Sequence, residues 1–249
     1  MTACTFEPAG SLPGPDATSP PDPPGTAPDA TPQQMPDARP VDALPPVEAF
    51  CDPDDASLVG CFAFEDTAES QSGAGLVVSE SDLVYAEGVR GRALDTRSQG
   101  ALHIEETAAL DFDAFTIEMW VHPDQLPTGS GRASLFDNDG QYSVFVFENA
   151  AVRCSGNGEV RPEGALAAGT WTHVACVHDG QSVTLYIDGQ SRATGPAGLP
   201  PRNGGEGSNI AGNSPSGGDR FAGRIDELRI WSRARTAAEI CATAGCTVP

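Results

Sequence analysis

Lysine is missing from this chain altogether, and its 14 cationic residues are all arginine. Schiff-base chemistry and a phosphate-cradling P-loop lysine are therefore excluded. Long apolar runs are also missing, so no segment reads as a transmembrane helix. There is no Gly-x-Ser-x-Gly elbow, no His-Glu-x-x-His helix and no Cys-x-x-Cys pair. The four histidines do not flank the cysteines at zinc-finger spacing, which argues against a structural zinc site. Positive charge is scarce: 35 acidic residues leave a net charge of −21. Nucleic acid and anionic membrane surfaces, which need clustered cations, are poor partners for such a chain.

What is abundant is unevenly spread. Of 22 prolines, 13 fall in residues 1–50, a stretch with 7 acids and 1 base (net −6), against 28 acids and 13 bases (net −15) beyond it. Pro, Asp, Ala and Thr at that density cannot bury enough apolar surface to offset chain entropy. Residues 1–49 therefore read as a disordered Pro/Asp-rich spacer, and residues 50–249 as one globular domain. Seven cysteines stand at positions 4, 51, 61, 154, 176, 241 and 246. Cys51 and Cys61, and likewise Cys241 and Cys246, bracket short loops, while Cys154 and Cys176 lie on two successive strand arms. Pairing within each set makes three local disulfides, implies an oxidising compartment and leaves Cys4 over. The opening "MTAC" resembles the end of a bacterial lipoprotein signal, which makes Cys4 a candidate lipid-attachment site and Thr5 the mark of an outer-membrane destination. Cell-surface or secreted placement is the extracytoplasmic alternative.

Through the globular part, short alternating runs recur at the spacing of a β-sandwich. They are 58–65, 75–89, 91–96, 100–106 and 115–123, then a hairpin over 132–150 and a second turn within 151–161. "GTWTHVACVHDGQSVTLYIDG" (169–189) is a hairpin around Asp179-Gly180. A short strand is expected near Ile210 and the last strand over 221–234. Thr236 and Glu239 form a capping box that opens a single helix ending at Gly245. "FTIEMWVHP", the 169–189 hairpin and "FAGRIDELRIWSRARTAAEI" together resemble the signature segments of laminin-G-like jelly-roll domains, in the concanavalin A-like lectin and glucanase superfamily. The resemblance implies an all-β jelly-roll sandwich of two antiparallel sheets with one short C-terminal helix. It also implies a binding or adhesive role outside the cytoplasm.

Relatives on this fold often hold a structural calcium where the first and last strands meet. Asp66 and Asp226 stand at the matching positions, and hard cations favour such carboxylates supported by backbone carbonyls. The plainer alternative is that Asp66 caps a turn and Asp226 faces solvent or pairs with Arg224. "DNDG" (137–140) lacks the twelve-residue EF-hand loop and reads as a hairpin turn. Trp120, Trp171 and Trp231 sit inside strand patterns and are expected to pack in or against the core rather than stack on sugars. Ligand contacts are expected in the loops 124–131, 137–140 and 201–219. Retaining glycoside hydrolysis needs paired carboxyls about 5–5.5 Å apart, and no strand here carries the Glu-x-Asp-x-Glu spacing of the glucanase relatives. The expected function is thus a non-enzymatic recognition module for carbohydrate or a surface protein, with no catalytic residues. A structural envelope lipoprotein without a small ligand, and a polysaccharide hydrolase, are the alternatives.

Overall fold

"FTIEMWVHP" places Phe115, Ile117, Met119 and Val121 at alternate positions, and all four are fully buried. A strand shows successive side chains to opposite faces, so this run can line one side of a core. The computed structural model describes residues 50–97, 100–202 and 206–247 and contains β1 (Leu58–Phe62), β2 (Val78–Ser81), β3 (Val84–Glu87), β4 (Arg92–Asp95) and β5 (Ala101–Ile104). There follow β6 (Phe115–Pro123), β7 (Arg132–Asn138), β8 (Tyr142–Phe147), β9 (Val152–Ser155), β10 (Glu159–Val160), β11 (Thr172–His178), β12 (Ser182–Ile187) and β13 (Gln190–Pro196). The chain closes with β14 (Ser208–Ile210), β15 (Gly223–Trp231) and the helix α1 (Ala237–Ala244). Residues 1–49, which include the expected spacer and Cys4, lie outside the described residues.

The strands make two antiparallel sheets. The first runs β13-β12-β11-β6-β15-β4-β3, with β1 also paired to β15; the second runs β10-β9-β8-β7-β14-β5-β2. Between them lies one apolar cluster. It takes Val174, Val183, Leu185, Ile225, Leu228 and Ile230 from the first sheet and Leu102, Ile104, Phe136, Val144, Val146 and Val152 from the second. This is a jelly-roll β-sandwich, as the alternation implies. The expected run over 75–89 is corrected: it is two strands that turn at Asp82, which takes φ 53°. β2 joins the second sheet and β3 the first, so this turn carries the chain across the sandwich. The sequence reading also missed β13, which follows β12 through the tight Asp188-Gly189 turn (φ 48° and 75°).

The structure joins Cys51 to Cys61, Cys154 to Cys176 and Cys241 to Cys246. The middle pair does not link neighbouring strands as expected. β11 pairs with β6 and β12, whereas β9 belongs to the other sheet. The Cys154–Cys176 bond therefore crosses the core, with Cα atoms 5.3 Å apart. Outside the first sheet, α1 lays Ile240 on Ala175 and Val177. Its start is held by the Thr236–Glu239 capping box, and it ends at Gly245 with φ 73°.

The same outer face holds a buried charge. The Glu118 carboxylate, with no exposure, forms an ion pair with Arg229 at 2.8 Å and accepts a hydrogen bond from Arg235 at 2.5 Å. Trp231 Nε1 donates to it at 3.3 Å. His173 Nε2 stands 3.8 Å from the other oxygen, and burial pushes its pKa down to about 4.

Candidate functional site

The outward face of the second sheet carries a row of polar side chains that the sequence never shows as a row. Register sets Ser79 opposite His103, His103 opposite Asn209, and Asn209 opposite Asp137. Asp137 is then opposite Ser143, Ser143 opposite Ser155, and Ser155 opposite Glu159. One residue from each of seven strands thus lies on a line perpendicular to the strands. Each is polar because its chain neighbours, such as Phe136, Val144 and Cys154, take the inward positions.

Hydrogen bonds tie the row together. His103 Nδ1 lies 2.7 Å from Asn209 Oδ1, and Ser143 and Ser155 share a bond of 2.8 Å between hydroxyls. The Ser214 amide donates to Asp137 at 2.8 Å. Burial raises the Asp137 carboxyl to about 6, against the opposing effect of that amide.

Next to the row stands a stack of arginines and phenylalanines. Ser134, Phe145 and Arg153 oppose one another in register, and Arg132 faces Phe147. The Arg132 and Arg153 guanidiniums lie 5.0 Å and 4.9 Å from the Phe145 ring centre, on β7 and β9 either side of it. Arg153 also reaches Phe147 at 5.6 Å, and Arg161 covers Phe147 at 4.5 Å. Arg153 Nη2 donates to Ser143 at 3.0 Å, which couples the stack to the row. A groove of about 360 Å³ runs over part of each: Asp137, Ser143, Ser155 and Glu159 of the row and Arg132, Phe145 and Arg153 of the stack line it, together with Ser214. Such a concave surface with converging polar groups is what a small-molecule site requires.

The residues expected to contact ligand divide around this groove. Loop 137–140 and the 213–214 part of the 201–219 loop line it. Loop 124–131 borders a separate depression with Arg132, Ala133, Arg220 and Ala222. Trp120 and Trp171 do not join the core cluster, contrary to expectation. They occupy the alternate, outward positions of the first sheet and are half-buried. Trp120 packs against His173 and Trp171 against His122, with Arg224 over the Trp171 ring at 5.3 Å. Trp231 is buried on that face under the Arg229, Arg233 and Arg235 guanidiniums.

Asp66 and Asp226 meet the same short loop rather than each other. Asp226 is fully buried, where β15 bulges between Asp226 and Arg229. Its oxygens accept from the amides of Val89 (2.9 Å), Arg90 (3.2 Å) and Glu227 (2.8 Å). Gly88 is needed beside it, because an added Cβ would stand 2.4 Å from Asp226 Oδ2. Asp66 accepts from Arg92 Nε at 3.1 Å, and the neighbouring Glu65 accepts from the Arg92 amide. Arg90 pairs with Glu227 at 3.3 Å. The donor set has the oxygen chemistry calcium favours, but those oxygens face amides and guanidiniums. A cation shared by Asp66 and Asp226 would have to displace Arg92 and the 89–90 amides. Burial raises Asp226 to about 7 and Glu227 upward, so this cluster bears its charge with difficulty. Among the described residues no three His, Cys, Asp or Glu side chains are grouped as a metal centre.

A family profile, Laminin_G_3 of the concanavalin A-like lectin/glucanases superfamily, matches residues 96–241. Nothing among the curated proteins matches the chain. Among solved structures, domain 4 of AbnA, a GH43 extracellular arabinanase from Geobacillus stearothermophilus in complex with arabinotriose, superposes with a TM-score of 0.62. It is 20% identical, and the match covers 76% of this chain and 98% of that one. The binding domain of Paraclostridial Mosquitocidal Protein 1 gives 0.61 at 14% identity, covering 76% of this chain and 52% of that one. A structure of botulinum neurotoxin type C, whose cell entry is described as dependent upon interaction with two ganglioside molecules, gives 0.59 at 14% identity, with 76% and 50% covered. The chain spans about half the length of these toxin structures.

Proposed function

Because the chain belongs to the Laminin_G_3 family of the concanavalin A-like superfamily, we propose that it is a non-enzymatic recognition module whose second-sheet groove binds carbohydrate. The observation that carries this reading is the seven-strand polar row, whose Asp137, Ser143, Ser155 and Glu159 line the groove. Sugars present hydroxyls at regular intervals, and a line of hydroxyl, amide, imidazole and carboxyl groups across the strands offers donors and acceptors to match. The arabinotriose held by AbnA domain 4 supports a saccharide on this fold. Titration of the full chain with a panel of oligosaccharides tests the proposal, with reducing-end release assayed in the same mixtures. Saturable binding without new reducing ends is the expected result. New reducing ends would favour the hydrolase alternative, and binding to a surface protein alone would favour the adhesive one.

Three further parts of the reading are proposed with it. The disulfides support an extracytoplasmic home, since thiols stay reduced in the cytosol. Lipid attachment at Cys4, displaying the domain from a membrane, would appear as a diacyl or triacyl mass increment on the N-terminal peptide of protein purified from its host. One structural calcium shared by Asp66 and Asp226 is proposed as well; it would form only by displacing Arg92 and the amides of residues 89–90 from those carboxylates.

A further inference from the structure

We infer that the groove is built for an acidic saccharide, one whose carboxylates sit against the edges of Arg132, Arg153 and Arg161. The inference rests on the carbohydrate reading above and specifies its ligand class.

Three of the chain's 14 cations stand together here, in a globular part whose formal charge is −15 (28 acids against 13 bases). Their guanidiniums already lie against aromatic rings. Arg132 and Arg153 lie over Phe145, and Arg153 and Arg161 over Phe147. A guanidinium held over a ring keeps its N–H groups to donate in its own plane, the geometry that matches a carboxylate. The same stacking removes the usual platform for a neutral sugar. Phe145 is only 1% exposed, so no bare ring face remains there for the C–H side of a pyranose.

The cations are also incompletely answered within the protein. Arg132 has a partner, Asp219, at 2.7 Å. The nearest acid to Arg153 is Glu159 at 3.8 Å, beyond hydrogen-bond distance, and that carboxylate is more than half exposed. Arg153 Nε is buried and makes no hydrogen bond. Burial is the main cause that lowers the Arg153 pKa, and the like charges of Arg132 and Arg161 lower it further against Glu159 and Asp137. Arg161 is exposed, with its guanidinium on Phe147, a ring that Arg153 of the groove also reaches. The acid on the groove floor, Asp137, is held near 6 by burial, so a bound carboxylate meets less opposing charge there in mildly acid solution. An anion held between Arg153 and Arg161 would relieve that repulsion.

The test uses the full chain and short oligomers of galacturonate, glucuronate and mannuronate, each beside its carboxyl-reduced, neutral counterpart. Calorimetric titration should show at least one uronate oligomer binding about tenfold or more tighter than its neutral partner. That preference should shrink as salt rises from 0.05 to about 0.5 M. Arg161→Gln, a substitution at an exposed position, should remove most of the preference while leaving the melting temperature unchanged. Equal binding of charged and neutral oligomers, insensitive to Arg161→Gln, would overturn the acidic-ligand inference and leave the carbohydrate reading standing. No binding by any oligomer in either set would overturn both.

Discussion

Asp137 shows how far one position can depart from its sequence reading. "DNDG" was legible as a turn, and the chain does turn at Asp139-Gly140, but Asp137 and Asn138 belong to β7, and nothing in those four letters says that the first carboxyl lies in a groove beneath the Ser214 amide. Its raised pKa fixes a sign. Between the ordinary carboxylate value near 4 and about 6, the folded protein holds more protons than the unfolded chain. Asp137 therefore favours the fold fully only below that window, and stability should fall as pH rises through it. Carboxyl ¹³C shifts should place the Asp137 midpoint near 6, and Asp137→Asn should flatten this part of the stability–pH profile. A midpoint near 4 would show that the groove is wetter than its geometry indicates. The tryptophans teach the same lesson at single positions. Their strands were legible, but the side of the sheet that each ring faces depends on which alternate positions the core claims.

At the scale of elements, the β6 boundaries, the 169–189 hairpin and the helix with its capping box were readable because period and caps are local. β2 and β3 were not separated, because a turn made by one aspartate with positive φ leaves no mark in the apolar pattern. Strand register across the sheet was equally hidden, since β14 sits between β5 and β7, which are far from it in sequence. Two predictions belong here. The Cys154–Cys176 bond closes a loop of 22 residues and ties the sheets together. The Cys154→Ala/Cys176→Ala variant should lose about 3 kcal/mol of stability by the chain-entropy account, measurable as a lowered urea midpoint. Peptide mapping without reductant should recover the 154–176 pair. On the opposite face, Glu118→Ala would strand two buried guanidiniums. Breaking a buried ion pair from one side costs about 3–5 kcal/mol, so the midpoint should fall by more than for the disulfide variant. A loss below about 1 kcal/mol would mean that water reaches this cluster freely.

The whole molecule's class was the most legible part: alternation, turn spacing and the three signature segments specify a two-sheet sandwich. Its binding face was the least legible, because the groove is made by register among strands that are distant in sequence, while the loops were the natural suspects. Calcium is a question at this scale too, since an ion at Asp66 and Asp226 would join the first and last core strands. The proposal predicts a melting temperature higher by roughly 5 °C in millimolar calcium than in chelator, with the difference abolished in Asp226→Ala. Equal melting temperatures would leave the amides and arginines of loop 88–92 as the sole partners of those carboxylates. The central claim, that the second sheet's outward face is the binding surface, is tested most directly by amide NMR of the full chain titrated with the tightest-binding oligosaccharide. The account predicts shift changes concentrated at Asp137, Ser143, Arg153, Ser155 and Ser214. Changes confined to the Trp120–Trp171 face or to loop 88–92 would contradict it.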